Sequence, residues 1–179
     1  PGATIEATNG GVVLQSTAEC VARTYQLNVS NSQANATCVD FAYGASRNLF
    51  YLHLSGANAA GSTGIRLRGE TPSAVAVGVF SNTFVRPIIS GFAICQYLNG
   101  SNVLGARANA NTTIGGVLTP YQWAVKVHGE GNSWQGTIMN VPNDVGQDER
   151  VYIGPPDATR DRKSTRLNSS HIPLSRMPS

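Results

Sequence analysis

The chain is poor in the features that would place it quickly. Only three of its 179 residues are cysteine, Cys20, Cys38 and Cys95, too few for a disulfide scaffold. Cys20 and Cys38 leave two readings open, a disulfide in an oxidising compartment or buried thiols. No apolar stretch approaches the roughly 18 residues that a membrane-spanning helix needs, so no membrane partner is expected. No longer segment repeats apolar side chains at i, i+3, i+4 and i+7, the spacing of an amphipathic helix. Thr17 to Arg23 offers at most a helical turn or two. Asn-Gly and Asp-Gly turns, the strongest hairpin signals, do not join the recurring strand-like runs. These absences point to an all-β chain whose strands are not built as neighbouring hairpins.

An excess of one charge is also missing once the C-terminus is set aside. Asp161 to His171, DRKSTRLNSSH, resembles the translation of a common short-read sequencing adapter. Ser175 to Ser179, SRMPS, resembles its continuation, with Ile172 to Leu174 across the index. Residues 161–179 are therefore expected to be a disordered, non-native tail, and 1–160 the β domain proper. With a start at Pro1 instead of Met, the piece reads as a fragment of a longer protein. The tail holds Arg162, Lys163, Arg166 and Arg176 against Asp161, so 13 basic and ten acidic residues fall to nine of each. The body then carries no net charge and no Lys/Arg cluster, which removes the basis for nucleic-acid binding.

What is present is a repeated word. Ala124 to Asn140 reads AVKVHGEGNSWQGTIMN, Ala74 to Ser90 reads AVAVGVFSNTFVRPIIS, and Asp40 to Gly56 reads DFAYGASRNLFYLHLSG. Each places an aromatic two residues after an Asn and an aliphatic six after it: Asn48/Phe50/Leu54, Asn82/Phe84/Ile88 and Asn132/Trp134/Ile138. The anchoring Asn residues lie 34 and 50 apart. The larger interval is either two structural units or one unit carrying an insertion loop over about 99–119. Units this short cannot bury a face alone and must stack on their neighbours. Asn suits a tight bend, because it tolerates the left-handed conformation and its amide can bond the same bend above and below. The aromatics and aliphatics are expected to point inward as ladders. An antiparallel sandwich with similar strands is the alternative.

The pattern N-[TS]-[FW]-x-x-x-[IP]-I, preceded by V-x-V and followed by a Gly-punctuated apolar run, resembles the pectate-lyase-like right-handed parallel β-helix superfamily over about 40–154. That resemblance implies a solenoid with a lateral groove for extended polysaccharide, here a fragment open at both ends. It implies a secreted or virion-surface protein that binds polysaccharide, a polysaccharide lyase or glycoside hydrolase if it is an enzyme at all, and a homotrimer if the parent is a viral tailspike. Calcium enters through the resemblance alone, and the residues themselves call for no cofactor and no metal. The paired-Asp and Gly-His-Gly motifs of polygalacturonase members are absent. A non-catalytic structural β-helix, such as a fibre shaft or adhesin stalk, is the alternative. Asn28, Asn35, Asn99 and Asn111 each head an N-x-S/T sequon, which agrees with export.

Chemistry is expected on the outer side of the third repeat. If Val125 and Val127 point inward, Lys126, His128 and Glu130 share the opposite side of one strand. Acting on a uronic acid, His128 would serve as base, with Lys126, Arg66 or Arg68 neutralising the carboxylate. Arg66 and Arg68 share the side opposite Ile65 and Leu67. Hydrolysis would instead need two carboxylates, for which the cluster Asp144, Asp148 and Glu149, joined by Glu130 from the neighbouring unit, is the alternative. Tyr51, Tyr97, Tyr121 and Trp123 are candidates to stack on sugar rings. An ordinary solvated strand face remains the competing reading of all of these.

Overall fold

The computed structural model describes residues 11–16, 21–41, 45–69, 78–99, 108–140, 151–153 and 166–167. Its elements are strands: β1 (Val12–Ser16), β2 (Thr24–Asn31), β3 (Thr37–Phe41), β4 (Leu49–Arg68), β5 (Val79–Phe80), β6 (Thr83–Val85) and β7 (Ile88–Asn99). There follow β8 (Ala108–Asn109), β9 (Thr112–Ile114), β10 (Val117–His128), β11 (Ser133–Gln135), β12 (Ile138–Met139), β13 (Val151–Ile153) and β14 (Arg166–Leu167). No helix occurs among the described residues, and every strand pair is parallel. Parallel neighbours cannot be joined by tight hairpins, which explains the missing Asn-Gly and Asp-Gly turns.

Twelve strands form one sheet, with β5 and β8 as a separate pair. The long strand β4 is its pivot: Leu49 and Phe50 pair with β6, while His53 onward pairs with β7. From there β6–β9–β11 and β7–β10–β12 stack in the same order, so the sheet curls around its own core. Successive passes of the chain thus lie one above another, in register. Residue for residue, one rung runs Tyr25–Phe50–Phe84–Thr113–Trp134 and another Val39–Ile65–Gln96–Val125.

The bends hold the stack together. Asn48 donates its amide to Asn82 Oδ1 at 3.0 Å, Asn82 to Asn111 Oδ1 at 2.9 Å, and Asn111 to Asn132 Oδ1 at 2.9 Å. Each of those oxygens also accepts the backbone N–H of the Asn one pass earlier. All four residues are buried, and the ladder leaves few of their polar atoms to the core unpaired. Two details differ from the sequence expectation. The left-handed residue is the one before each Asn, namely Arg47, Ser81, Ala110 and Gly131, with φ between 53° and 66°. The first three donate their N–H groups to Phe80, Asn109 and Glu130 carbonyls of the next pass, which holds the strained bend in place. Asn111, moreover, belongs to the ladder, although it falls in the stretch expected to be an insertion loop. Asn99–Thr119 contains β8, β9 and the start of β10; residues 100–107 lie outside the described residues. The interval of 50 is therefore two passes, of 29 and 21 residues.

Inside, Tyr25, Phe50 and Phe84 stack with centroids 5.2 and 5.0 Å apart, and Phe41 meets Phe50 edge-on at 5.1 Å. Such offset ring contacts add to the area term of burial. Thr113 interrupts the aromatic rung, and below it Trp134 Nε1 donates to the buried Gln96 Oε1 at 2.9 Å. The aliphatics six residues after Asn do not form the expected inward ladder. Leu54 is buried, but Ile88 is 47% and Ile138 62% exposed. Leu54 is aligned with Ile89, Leu118 and Met139 instead. From Phe50 to His53 is three residues, while the aligned Phe84 to Ile88 is four. That extra corner residue, near Arg86 with φ 44°, flips the alternation after it.

Glycine is required where two passes touch. A Cβ on Gly56 would overlap the Gly91 carbonyl, and one on Gly91, at φ 72°, the Gly56 carbonyl. Cys38 and Cys95 are free buried thiols; Cys20, and most of 161–179, lie outside the described residues. Within that tail, Arg166 and Leu167 pair with Ser133 and Trp134.

Candidate functional site

Two outward rails cross the later part of each pass. The first aligns Asp40, Arg66, Tyr97 and Lys126 on β3, β4, β7 and β10; the second aligns Arg68, Asn99 and His128. Alternation puts them outside, since their strand neighbours Val39, Ile65, Leu67, Leu98, Val125 and Val127 are buried.

At one end of these rails the charges are already engaged. Asp40 is fully buried and accepts from both arginines: Arg66 Nε and Nη2 at 3.1 and 2.9 Å, Arg68 Nε and Nη2 at 3.0 and 2.8 Å. Burial alone would raise the Asp40 pKa, but the hydrogen bonds and charges of Arg66 and Arg68 outweigh it and hold the carboxyl below its ordinary range. The two arginines, expected to bind a substrate carboxylate, are thus committed to a carboxylate of their own. Asp40 is the centre of this fork. Only the rung register reveals it, because 26 and 28 residues separate the partners.

At the other end the groups are less buried. Lys126 Nζ lies 5.3 Å from the centre of the Tyr97 ring, a cation–π distance. The His128 ring meets Tyr97 edge-on, centroids 5.7 Å apart, and its Nδ1 lies 3.2 Å from Asn99 Oδ1. Burial, reinforced by the Lys126 charge, holds the His128 imidazole below the usual histidine range, so it is neutral at pH 7. Tyr97 is one of the ring-stacking candidates read from sequence; Asn99 was not among the site candidates. The spatial neighbour of Lys126 is Tyr97, on the strand β7 that follows the Asn82 bend.

The remaining candidates are scattered. Glu130 lies beyond the end of β10, exposed in the following bend, where its N–H meets Asn109 Oδ1 at 2.9 Å. It does not share a strand face with Lys126 and His128, because Gly129 turns the chain there. Tyr121 is 37% exposed, and Trp123 is half-buried opposite Ile94. Asp144, Asp148 and Glu149 lie outside the described residues. Asp40 and Glu130 are the only carboxylates among the described residues, where no group of three or more metal-ligating side chains forms. Neither a carboxylate pair for hydrolysis nor a calcium ligand set is therefore built from them. Burial pushes the Cys38 thiol up to about 12 and raises that of Cys95 as well, so neither is a nucleophile near neutrality.

Compared with known proteins, the chain matches no family model, no curated protein and no solved structure.

Proposed function

We propose that the chain is a stretch of right-handed parallel β-helix, from an exported or virion-surface protein, whose outer rails bind an extended polysaccharide. Parallel register maintained from β2 to β12 supports the solenoid, and parallel crossovers are right-handed in nearly all proteins. One observation carries the binding reading: Tyr97, Lys126, His128 and Asn99 pack together on adjacent outward rungs. Strands lie about 4.8 Å apart, so sugars laid across them would meet a ring, a cation and polar donors in succession. Tyr97 offers a surface for sugar C–H groups, and Lys126 a charge for a carboxylate or ring hydroxyls. If the bound chain is also cleaved, neutral His128 is the group able to take a proton.

Affinity electrophoresis of the full chain in gels carrying neutral or uronate polysaccharides tests this. Retardation by at least one polymer is expected, and Tyr97→Ala and Lys126→Ala should each weaken it roughly tenfold, about 1.4 kcal/mol. A wild-type chain retarded by none of them sinks the binding reading. Unsaturated ends appearing in the wild type but not in His128→Ala would add lyase activity.

A second reading is a purely structural shaft. It is favoured by the asparagine ladder, which ties four successive passes and needs no ligand to explain it.

A further inference from the structure

The outward side of the earlier part of each pass has a different chemistry. On β7 and β10 the outward residues are aliphatic and then hydroxyl: Ile88 and Ser90 are aligned with Val117 and Thr119. The array extends both ways, from Ile138 aligned with Val117 to Ser55 aligned with Ser90. Across the corner at Arg86, Thr83 and Val85 are aligned with Thr112 and Ile114. Ser133 continues the hydroxyl rail, donating to Thr112 Oγ1 at 3.2 Å. The outward positions of these described stretches, up to Ser90 and Thr119, hold no Lys, Asp or Glu; Arg86, exposed at the corner, is the one arginine among them, and His53 is aligned with Ile88 at the β4 edge. Ile88, Ile114 and Ile138 are 47%, 44% and 62% exposed, a cost that burial elsewhere has not removed.

The arrangement is a two-dimensional lattice, with about 4.8 Å between rungs and about 7 Å between alternate residues on a strand. A folded partner other than a second solenoid has no translational repeat to match it, whereas a crystal surface does. Thr and Ser hydroxyls offer one donor and two acceptor sites, to which water of an ordered layer can bond. The aliphatic groups between them restrict the orientation of water above, which favours an ordered first layer. Crystalline polysaccharide would call for exposed rings along the lattice, and here Tyr51 alone supplies one, at its edge. From the repeat, the lack of acidic groups and the alternation of methyl and hydroxyl groups, we propose that this face binds the surface of ice. The proposal uses none of the residues assigned to polysaccharide, so either can fail alone.

The test is ice recrystallisation in thin frozen films containing the full chain, compared with an equal mass of serum albumin. Grain growth should slow at micromolar protein. Ile88→Lys and Ile138→Lys place a charge on the lattice at sites too exposed to unfold the protein, and each should raise the concentration needed at least tenfold. Ala34→Lys, a lysine added at an exposed position in the turn between β2 and β3, should change nothing. Grains coarsening as fast as in albumin overturn the proposal, as does full activity in both Ile variants. Retention on microcrystalline cellulose or chitin with no effect on ice also overturns it.

Discussion

Asn48, Asn82, Asn111 and Asn132 repeat one residue on four successive passes, whereas Asp40, Arg66 and Arg68 draw three different residues onto two adjacent strands. In the ladder each amide is donor to one neighbour and acceptor from another, so the same residue satisfies every level and the motif can propagate. In the fork a buried carboxylate is saturated by two guanidinium groups, and nothing is left to pass on. Repetition therefore builds length, while a non-repeating cluster marks one place along it. The same contrast holds outside: the hydroxyl-and-aliphatic array recurs from pass to pass, and Tyr97, Lys126 and His128 occur once.

Breaking the ladder should have the largest effect. Asn82→Ala removes the acceptor of Asn48 and the donor to Asn111 and to the Ala45 carbonyl. Several buried groups are left unpaired, and urea unfolding should show a loss of about 4 kcal/mol. A loss no greater than an ordinary surface substitution would mean that the ladder is ornamental.

The corner shift gives the next contrast. Ile89→Ala should cost about 3 kcal/mol through the cavity it leaves, while the adjacent Ile88→Ala should stay within about 0.5 kcal/mol. Equal losses at the two positions would contradict the alternation described for β7.

The fork should matter less, since Arg66 and Arg68 side chains keep 28% and 19% of their exposure and recover some hydration. Asp40→Asn is expected to cost about 2 kcal/mol near neutral pH. Because the folded Asp40 carboxyl titrates below its unfolded value, its contribution is complete above about pH 4 and drains as pH falls through the folded pKa. The stability difference between wild type and Asp40→Asn should therefore shrink in acid. A difference that grows below pH 4 would reverse the assigned sign. Smallest of all, Ala110→Gly relieves one left-handed residue, φ 53°, and should raise the unfolding midpoint by an amount worth less than about 1 kcal/mol.

Much of the architecture could be read in advance because parallel stacking writes itself into sequence as recurrence. Asn48, Asn82 and Asn132 stood out, with Phe50, Phe84 and Trp134 two residues on. Asn111 did not, because Thr113 replaces the aromatic and the surrounding Gly, Ala and Asn residues read as a loop. The aromatic rung tolerates Thr113 only because Trp134 and Thr113 share Gln96 Oε1, a contact between residues 17 and 38 positions apart. On the outer surface, Lys126 and His128 were visible as alternate strand residues and Tyr97 as an exposed aromatic, but their meeting, and the place of Asn99 beside them, was not. The partners of Arg66 and Arg68 were hidden for the same reason.

Sequence alone determined that the chain is β throughout its described length and that a short unit recurs, because alternation and recurrence are local properties of one strand or one bend. Only the tertiary structure decided which residues share a rung. Register depends on how many residues each pass spends at its corners, and a single extra residue near Arg86 turns Ile88 outward and Ile89 inward. Those corner lengths likewise set Asp40 beside Arg66, Arg68 on the next outward position, and Tyr97 beneath Lys126.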